Sequence, residues 1–151
     1  MDWKLEVVVV PVSDVDRAKA FYSDTLGFTV DTDFQGGPDF RVVQVTPPGS
    51  ACSIVFGKGL PSGAQIKGCQ FVVADITAAA DHLKTAGVEF NGPVHFEDGG
   101  MVPGMDPNDA DFATFLFFDD PDGNSWAVQE VRKHARCADA RVNRGRACPT
   151  R

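Results

Sequence analysis

"VVVVPVSDVDRAKAFYSDTLGFTV" occupies Val7 to Val30, and its reading decides the fold. Val7–Pro11 is an uninterrupted β-branched run, the pattern of a buried strand. Ser13 can cap a helix, with Asp16 three residues on completing a capping box. Val15, Ala18, Phe21 or Tyr22, and Leu26 then recur at helical spacing and make one apolar face. Gly27 supplies a C-terminal stop, and Phe28 opens the next strand.

The same grammar returns in "CQFVVADITAAADHLKTAGVEF". Cys69–Val73 reads as a strand, Asp75 as a cap and Ile76–Ala86 as a helix that Gly87 ends. Asp14 to Gly27 is thirteen steps and Asp75 to Gly87 twelve, so the units align with one deletion. Each unit is followed by paired strand-like runs. After the first come "FRVVQVTPPG" and "CSIVFGKG"; after the second come "FATFLFFDDPDG" and "SWAVQEV". The chain is therefore α+β, with βαβββ written twice. Residues 1–131 form one domain, with module one at 4–57, a linker at 58–66 and module two at 67–131. Residues 132–151 are a basic tail without structural signals.

In "DDPDGNSWAVQEV", Asp120, Asp122 and Asn124 alternate as in a calcium loop. Such a loop needs Gly at its sixth position and Glu at its twelfth, where Ser125 and Val131 stand. The stretch is read as a turn that closes a sheet.

"VVPVSDVDRAKAFYSDTLGF" together with "DDPDGNSWAVQEV" resembles the glyoxalase/bleomycin-resistance group of the vicinal oxygen chelate superfamily, over residues 4–131. The resemblance implies curled mixed sheets with a concave ligand trough, and often a homodimer. It also implies four matched metal positions. On the first strands these fall seven residues before Asp14 and Asp75, at Val7 and Gly68. On the last strands they fall four residues after the turn glycines Gly49 and Gly123, at Ser53 and Ala127. Valine, glycine, serine and alanine do not replace imidazole and carboxylate, so the expectation is no metal and no cofactor. A strand slip of one residue would bring Cys52 and Cys69 forward instead, but both are read as small core residues.

Strand parity then nominates the ligand-binding residues. Gln70 and Gln129 face the trough among Val7, Val9, Ser53 and Val55, and Gln44 can add a third amide. Together they make an apolar surface with a few hydrogen-bonding points, the usual chemistry of a small-molecule site. Glu97 to Asp111 has no counterpart in module one. Its Gly, Pro and Asp content is that of a lid or surface loop, from which Met101 and Met105 can cover a ligand. His95 and Glu97 alternate in "PVHFEDGG" and are the candidate catalytic acid–base pair. Glu130 is read as a solvated strand-end charge, and Arg41 as one half of a surface ion pair with Asp39 or another nearby acid.

Charge and cysteine content narrow the partners. Residues 1–131 carry 7 Lys/Arg against 20 Asp/Glu, a net −13, and residues 132–151 carry 7 Lys/Arg against Asp139 alone. An acidic body repels phosphate, which argues against nucleic acid. No apolar run approaches the ~18 residues of a membrane span, and no secretory pattern opens the chain, so the expected location is cytoplasmic. Cys52, Cys69, Cys137 and Cys148 form no C-x-x-C pair. The functional expectation is metal-free sequestration of a small organic molecule. The alternatives are a metal-independent isomerase or lyase using Glu97 or His95, and a metal-dependent lyase or dioxygenase.

Overall fold

A computed structural model describes residues 1–61 and 63–132. The basic tail beyond Arg132, with His134, Cys137 and Cys148, lies outside the described residues. The chain divides into two compact units. The first holds residues 1–67 and takes in the turn Asp119–Ser125; the second holds 68–118 and the described residues from Trp126 to Arg132.

In the first unit, β1 (Val7–Val9) leads to α1 (Val15–Ala20), then β2 (Thr29–Gly37), β3 (Phe40–Thr46) and β4 (Ser53–Lys58). The sheet order is β1-β4-β3-β2, with β1 parallel to β4 and the other pairs antiparallel. In the second unit, β5 (Cys69–Val73) and α2 (Ile76–Thr85) precede β6 (Phe90–Glu97), β7 (Gly100–Pro103), β8 (Thr114–Asp119) and β9 (Ser125–Glu130). That sheet runs β5-β9-β8-β6-β7, with β5 parallel to β9. These are two open mixed sheets, each with one helix-bearing face, as the doubled pattern requires.

Three local readings change. The α1 cap is Asp14, whose carboxylate accepts from Arg17 N; Ser13 is spent elsewhere, on Asp122. The helix also does not run uniformly to Gly27. Leu26 N reaches back five residues to the Phe21 carbonyl, making a π-helical turn over Phe21–Thr25. The wider turn keeps Ala18, Tyr22 and Leu26 on the buried side. Finally, the insertion in module two is partly a strand: Gly100–Pro103 pairs antiparallel with β6, so the second module carries one strand more than the first.

Hydrogen bonds converge on the turn Asp119–Ser125 in the first unit. Asp120 Oδ1 accepts from the backbone N–H groups of Asp122 and Asn124, and Oδ2 accepts from Tyr22 Oη at 2.7 Å and Asn124 Nδ2 at 2.8 Å. Asn124 also donates to the Pro11 carbonyl and accepts from Ile66 N. Asp122 receives Ser13 and Arg17. The alternating acids that imitate a calcium loop thus serve as hydrogen-bond acceptors for α1 and the strand before it. Tyr22 and Asn124 are fully buried, so these polar groups are satisfied where water cannot reach them.

Candidate functional site

Each sheet has a helix face and an open face, and strand register assigns every side chain to one of them. In the first unit, Val7 pairs with Ser53, Val9 with Val55, Gln44 with Val55 and Val42 with Gly57. Ile54 and Phe56 alternate with these on β4, and Phe56 packs on Tyr22, which marks the helix side. The open face therefore carries Val7, Val9, Ser53, Val55 and Gln44. It also carries Val42, Thr46, Thr32 and Phe34 through their registered partners. Val7 and Val9 are exposed, whereas Ser53 and Val55 are buried in the middle of the sheet.

Polar groups on that face are joined in series. Gln44 Nε2 donates to Ser53 Oγ at 3.2 Å, Ser53 Oγ lies 2.6 Å from Thr46 Oγ1, and Thr46 Oγ1 donates to Asp31 Oδ2. Asp31 sits in the β-bulge between Val30 and Thr32, which turns its carboxylate toward Thr46. Asp31 and Thr46 do not emerge from the sequence reading. The bulge breaks simple alternation along β2, and nothing in "TVDTDFQGG" announces where it falls.

In the second unit, Trp126 and Phe118 stack on Phe71, and Glu130 receives Ile76 N from the start of α2. These mark the helix face. Its opposite carries Gln70, paired with Ala127, and Gln129, paired with Val72. It also carries Phe115, Phe117, Phe96 and Met101. The Phe115 and Phe117 rings are parallel with centroids 6.1 Å apart, and Phe96 meets Phe115 edge-on at 5.6 Å. Phe96 and Met101 are more than half exposed. This aromatic row is a second feature that the sequence reading omits. Gln129 Nε2 donates to the Phe112 carbonyl at 2.9 Å, which holds the amide in place.

His95 and Glu97 share the other side of β6. His95 is registered against Thr114, and both are buried. Its Nδ1 lies 3.0 Å from the Gly104 carbonyl, and its Nε2 lies 3.9 Å from the exposed carboxylate of Glu97. The two candidates are thus together, but on the face opposite Gln70 and Gln129. Met105 follows β7 in the loop and is part-exposed. Glu130 is not solvated: it is buried, and it accepts from Ile76 N and Arg132. Arg41 pairs with Asp33 and Asp16 on the helix side, while Asp39 takes Lys58. The Arg41 and Lys19 hydrogen bonds hold the Asp33 carboxyl well below the usual carboxylate range.

The four metal-matched positions can now be read from the ladders. Val7 lies opposite Ser53, but Ala127 lies opposite Gln70, not Gly68. The matched residue stands seven positions before its cap on β1 but five on β5, so a count of seven back from Asp75 overshoots the strand. The set is Val7, Ser53, Gln70 and Ala127, which offers no imidazole, thiolate or carboxylate. Cys69 pairs with Trp126 on the helix-face register. Among the described residues no three His, Cys, Asp or Glu side chains converge on a metal site. These donors do not fit a divalent cation.

Comparison with known proteins agrees with this architecture. The family model of the Glyoxalase/Bleomycin resistance protein/Dioxygenase superfamily matches residues 4–128. The uncharacterized protein YetH of Bacillus subtilis (strain 168) is 31% identical over 130 residues, covering 84% of this chain and 98% of YetH. TnmS3, an antibiotic binding protein from Streptomyces sp. CB03234, is similar with a TM-score of 0.68 and 29% identity, over 86% of this chain and 97% of its own. A superfamily member from Sphaerobacter thermophilus gives a TM-score of 0.64 and 29% identity, over 85% and 98% of the two chains. With a repeated module, matching sheets and a family match over most of its length, the chain belongs to the glyoxalase/bleomycin resistance protein/dioxygenase superfamily.

Proposed function

We propose that this protein binds a small organic molecule on its open sheet faces, without a metal ion, and releases it unchanged. The observation that carries the reading is the pairing of Val7 with Ser53 in one unit and of Gln70 with Ala127 in the other. These residues replace metal ligands with apolar groups, a hydroxyl and an amide, and they sit on faces dominated by Val and Phe. Such faces bind by apolar burial, worth ~25 cal/mol per Å², while a few fixed polar groups orient the ligand. Val7, Val9, Val55, Gln44 and Ser53 serve on one unit, and Gln70, Gln129 and Met101 on the other, with Met105 in the adjoining loop. The likeness to an antibiotic-binding protein supports a ligand of that general kind.

The test is a thermal-shift screen of aromatic and amine-bearing organic compounds, followed by calorimetry in chelator-treated buffer. Ligand recovered from the complex should have an unaltered mass. Binding that appears only when a metal is added, or recovery of a converted product, would refute the proposal. The 3.9 Å approach of His95 to Glu97 favours one second reading, a metal-independent isomerase or lyase. In that case turnover should fall in both His95→Ala and Glu97→Gln. We take the working state to be a homodimer, which light scattering on the purified chain checks. Among the described residues no helix is long and apolar enough to cross a membrane.

A further inference from the structure

Donors and acceptors fix the direction of the Asp31–Thr46–Ser53–Gln44 series. An amide nitrogen can only donate and a carboxylate can only accept. Gln44 Nε2 therefore gives to Ser53 Oγ, Ser53 gives its proton to Thr46, and Thr46 gives its own to Asp31. Two consequences follow. The Gln44 side chain is held by its nitrogen, which leaves its carbonyl oxygen to accept from a ligand. The chain also ends on a full negative charge, so each hydroxyl along it is polarised toward accepting a further donor.

Among the described residues the charge at that end has no counter-ion. Among the described residues no Lys or Arg forms an ion pair with Asp31. Lys19 and Arg41 are committed to Asp33 and Asp16 on the helix face. Asp31 is exposed in its bulge. At the other end of the same face, Phe34 is registered against Val42, and the exposed rings of Phe34 and Phe40 meet edge-on at 6.5 Å. Thr46 and Val42 are four residues apart on β3, roughly 13 Å along the strand. Val55 and Val9 lie on the columns alongside, and no cationic side chain falls on this face by register.

We propose that the open face of the first unit is a subsite for an amphipathic organic cation. Its ammonium or protonated amine meets Asp31 and the Gln44 carbonyl, and its aromatic body lies over Val42 toward Phe34 and Phe40. This rests on the small-molecule reading above and gives it a ligand class. Charge complementarity selects the occupant. An anion would meet Asp31 unshielded, and a neutral body would leave the carboxylate unpaired beneath it.

Two fluorescent probes of equal size test this, 1-aminomethylpyrene and 1-hydroxymethylpyrene, titrated into the full chain at low salt. The aminomethyl compound should bind about fivefold more tightly, and the preference should shrink as salt rises. Asp31→Asn should abolish the preference without weakening the neutral probe. Thr46→Val, which cuts the series but keeps the charge, should reduce it in part. Melting curves of both variants confirm folding. Equal binding of the two probes to the parent chain, or a preference that survives Asp31→Asn, overturns the proposal while leaving small-molecule binding intact. Binding of neither probe overturns the proposal as well, and the thermal-shift screen then decides small-molecule binding separately.

Discussion

Replacing Tyr22 by Phe removes one oxygen and leaves the ring stack with Phe28 and Phe56 in place. The lost bond is the 2.7 Å donation to Asp120 Oδ2, made where both residues are buried. A hydrogen bond to a charged group is worth about 1.5–3 kcal/mol net. Asp120 retains its three other donors, so the carboxylate is not abandoned, and we expect a loss of about 2 kcal/mol. At roughly 2–4 °C per kcal/mol for a chain of this size, Tm should fall by about 4–8 °C. Asp120→Ala orphans four donors at once, and at ~1 kcal/mol or more each it should leave little of a typical folding free energy. Urea unfolding followed by circular dichroism measures both, and a Tyr22→Phe/Asp120→Asn double-mutant cycle isolates the pair. A Tyr22→Phe loss under 0.5 kcal/mol, or a coupling of zero, would refute the claim that the turn Asp119–Ser125 anchors the first unit through Asp120.

Other expectations follow from single residues. A methyl group at Gly57 would lie 1.9 Å from the Arg41 carbonyl oxygen, so Gly57→Ala should cost about 1–3 kcal/mol by separating β3 from β4, read as a lower urea midpoint. Glu130→Ala removes an acceptor from Ile76 N and a partner from Arg132, and should cost about 1–3 kcal/mol by the same assay. The Asp33 carboxyl is depressed by Arg41 and Lys19. Its stabilisation is therefore complete above the unfolded value near ~4 and is lost as pH falls through the lower folded value. Arg41→Gln should accordingly lose less stability than the parent chain between pH 5 and pH 2, and an equal or steeper loss would contradict this assignment.

Much of the architecture was legible because hydrophobic period and punctuation agree. The β-branched runs, Asp75 as a cap, and Gly27 and Gly87 as stops with φ near +75° all specify βαβ units from local chemistry. Period two along the strands nominated Ser53, Gln70 and Gln129, whereas the face of Gln44 is fixed only by its pairing with Val55. What was lost lies where one residue changes the count. The π turn at Phe21–Thr25, the bulge at Asp31 and the shortened link before Asp75 each shift register by amounts that only pairing partners reveal. Asp31 was missed for that reason, and Gly68 was named where Gln70 stands. The solvated reading of Glu130 failed because a carboxylate at a strand end can also cap the neighbouring helix, which depends on tertiary placement.

The central claim is that this superfamily member holds its ligand without a metal, and calorimetry tests it most directly. Mn²⁺ and Ni²⁺ would be titrated into chelator-treated protein in which Cys137 and Cys148 are replaced by Ser, so that thiols of the tail do not contribute. The predicted result is no saturable heat at micromolar metal, with amine-probe binding unchanged by its addition. Uptake of one ion per chain at micromolar concentration would contradict the account.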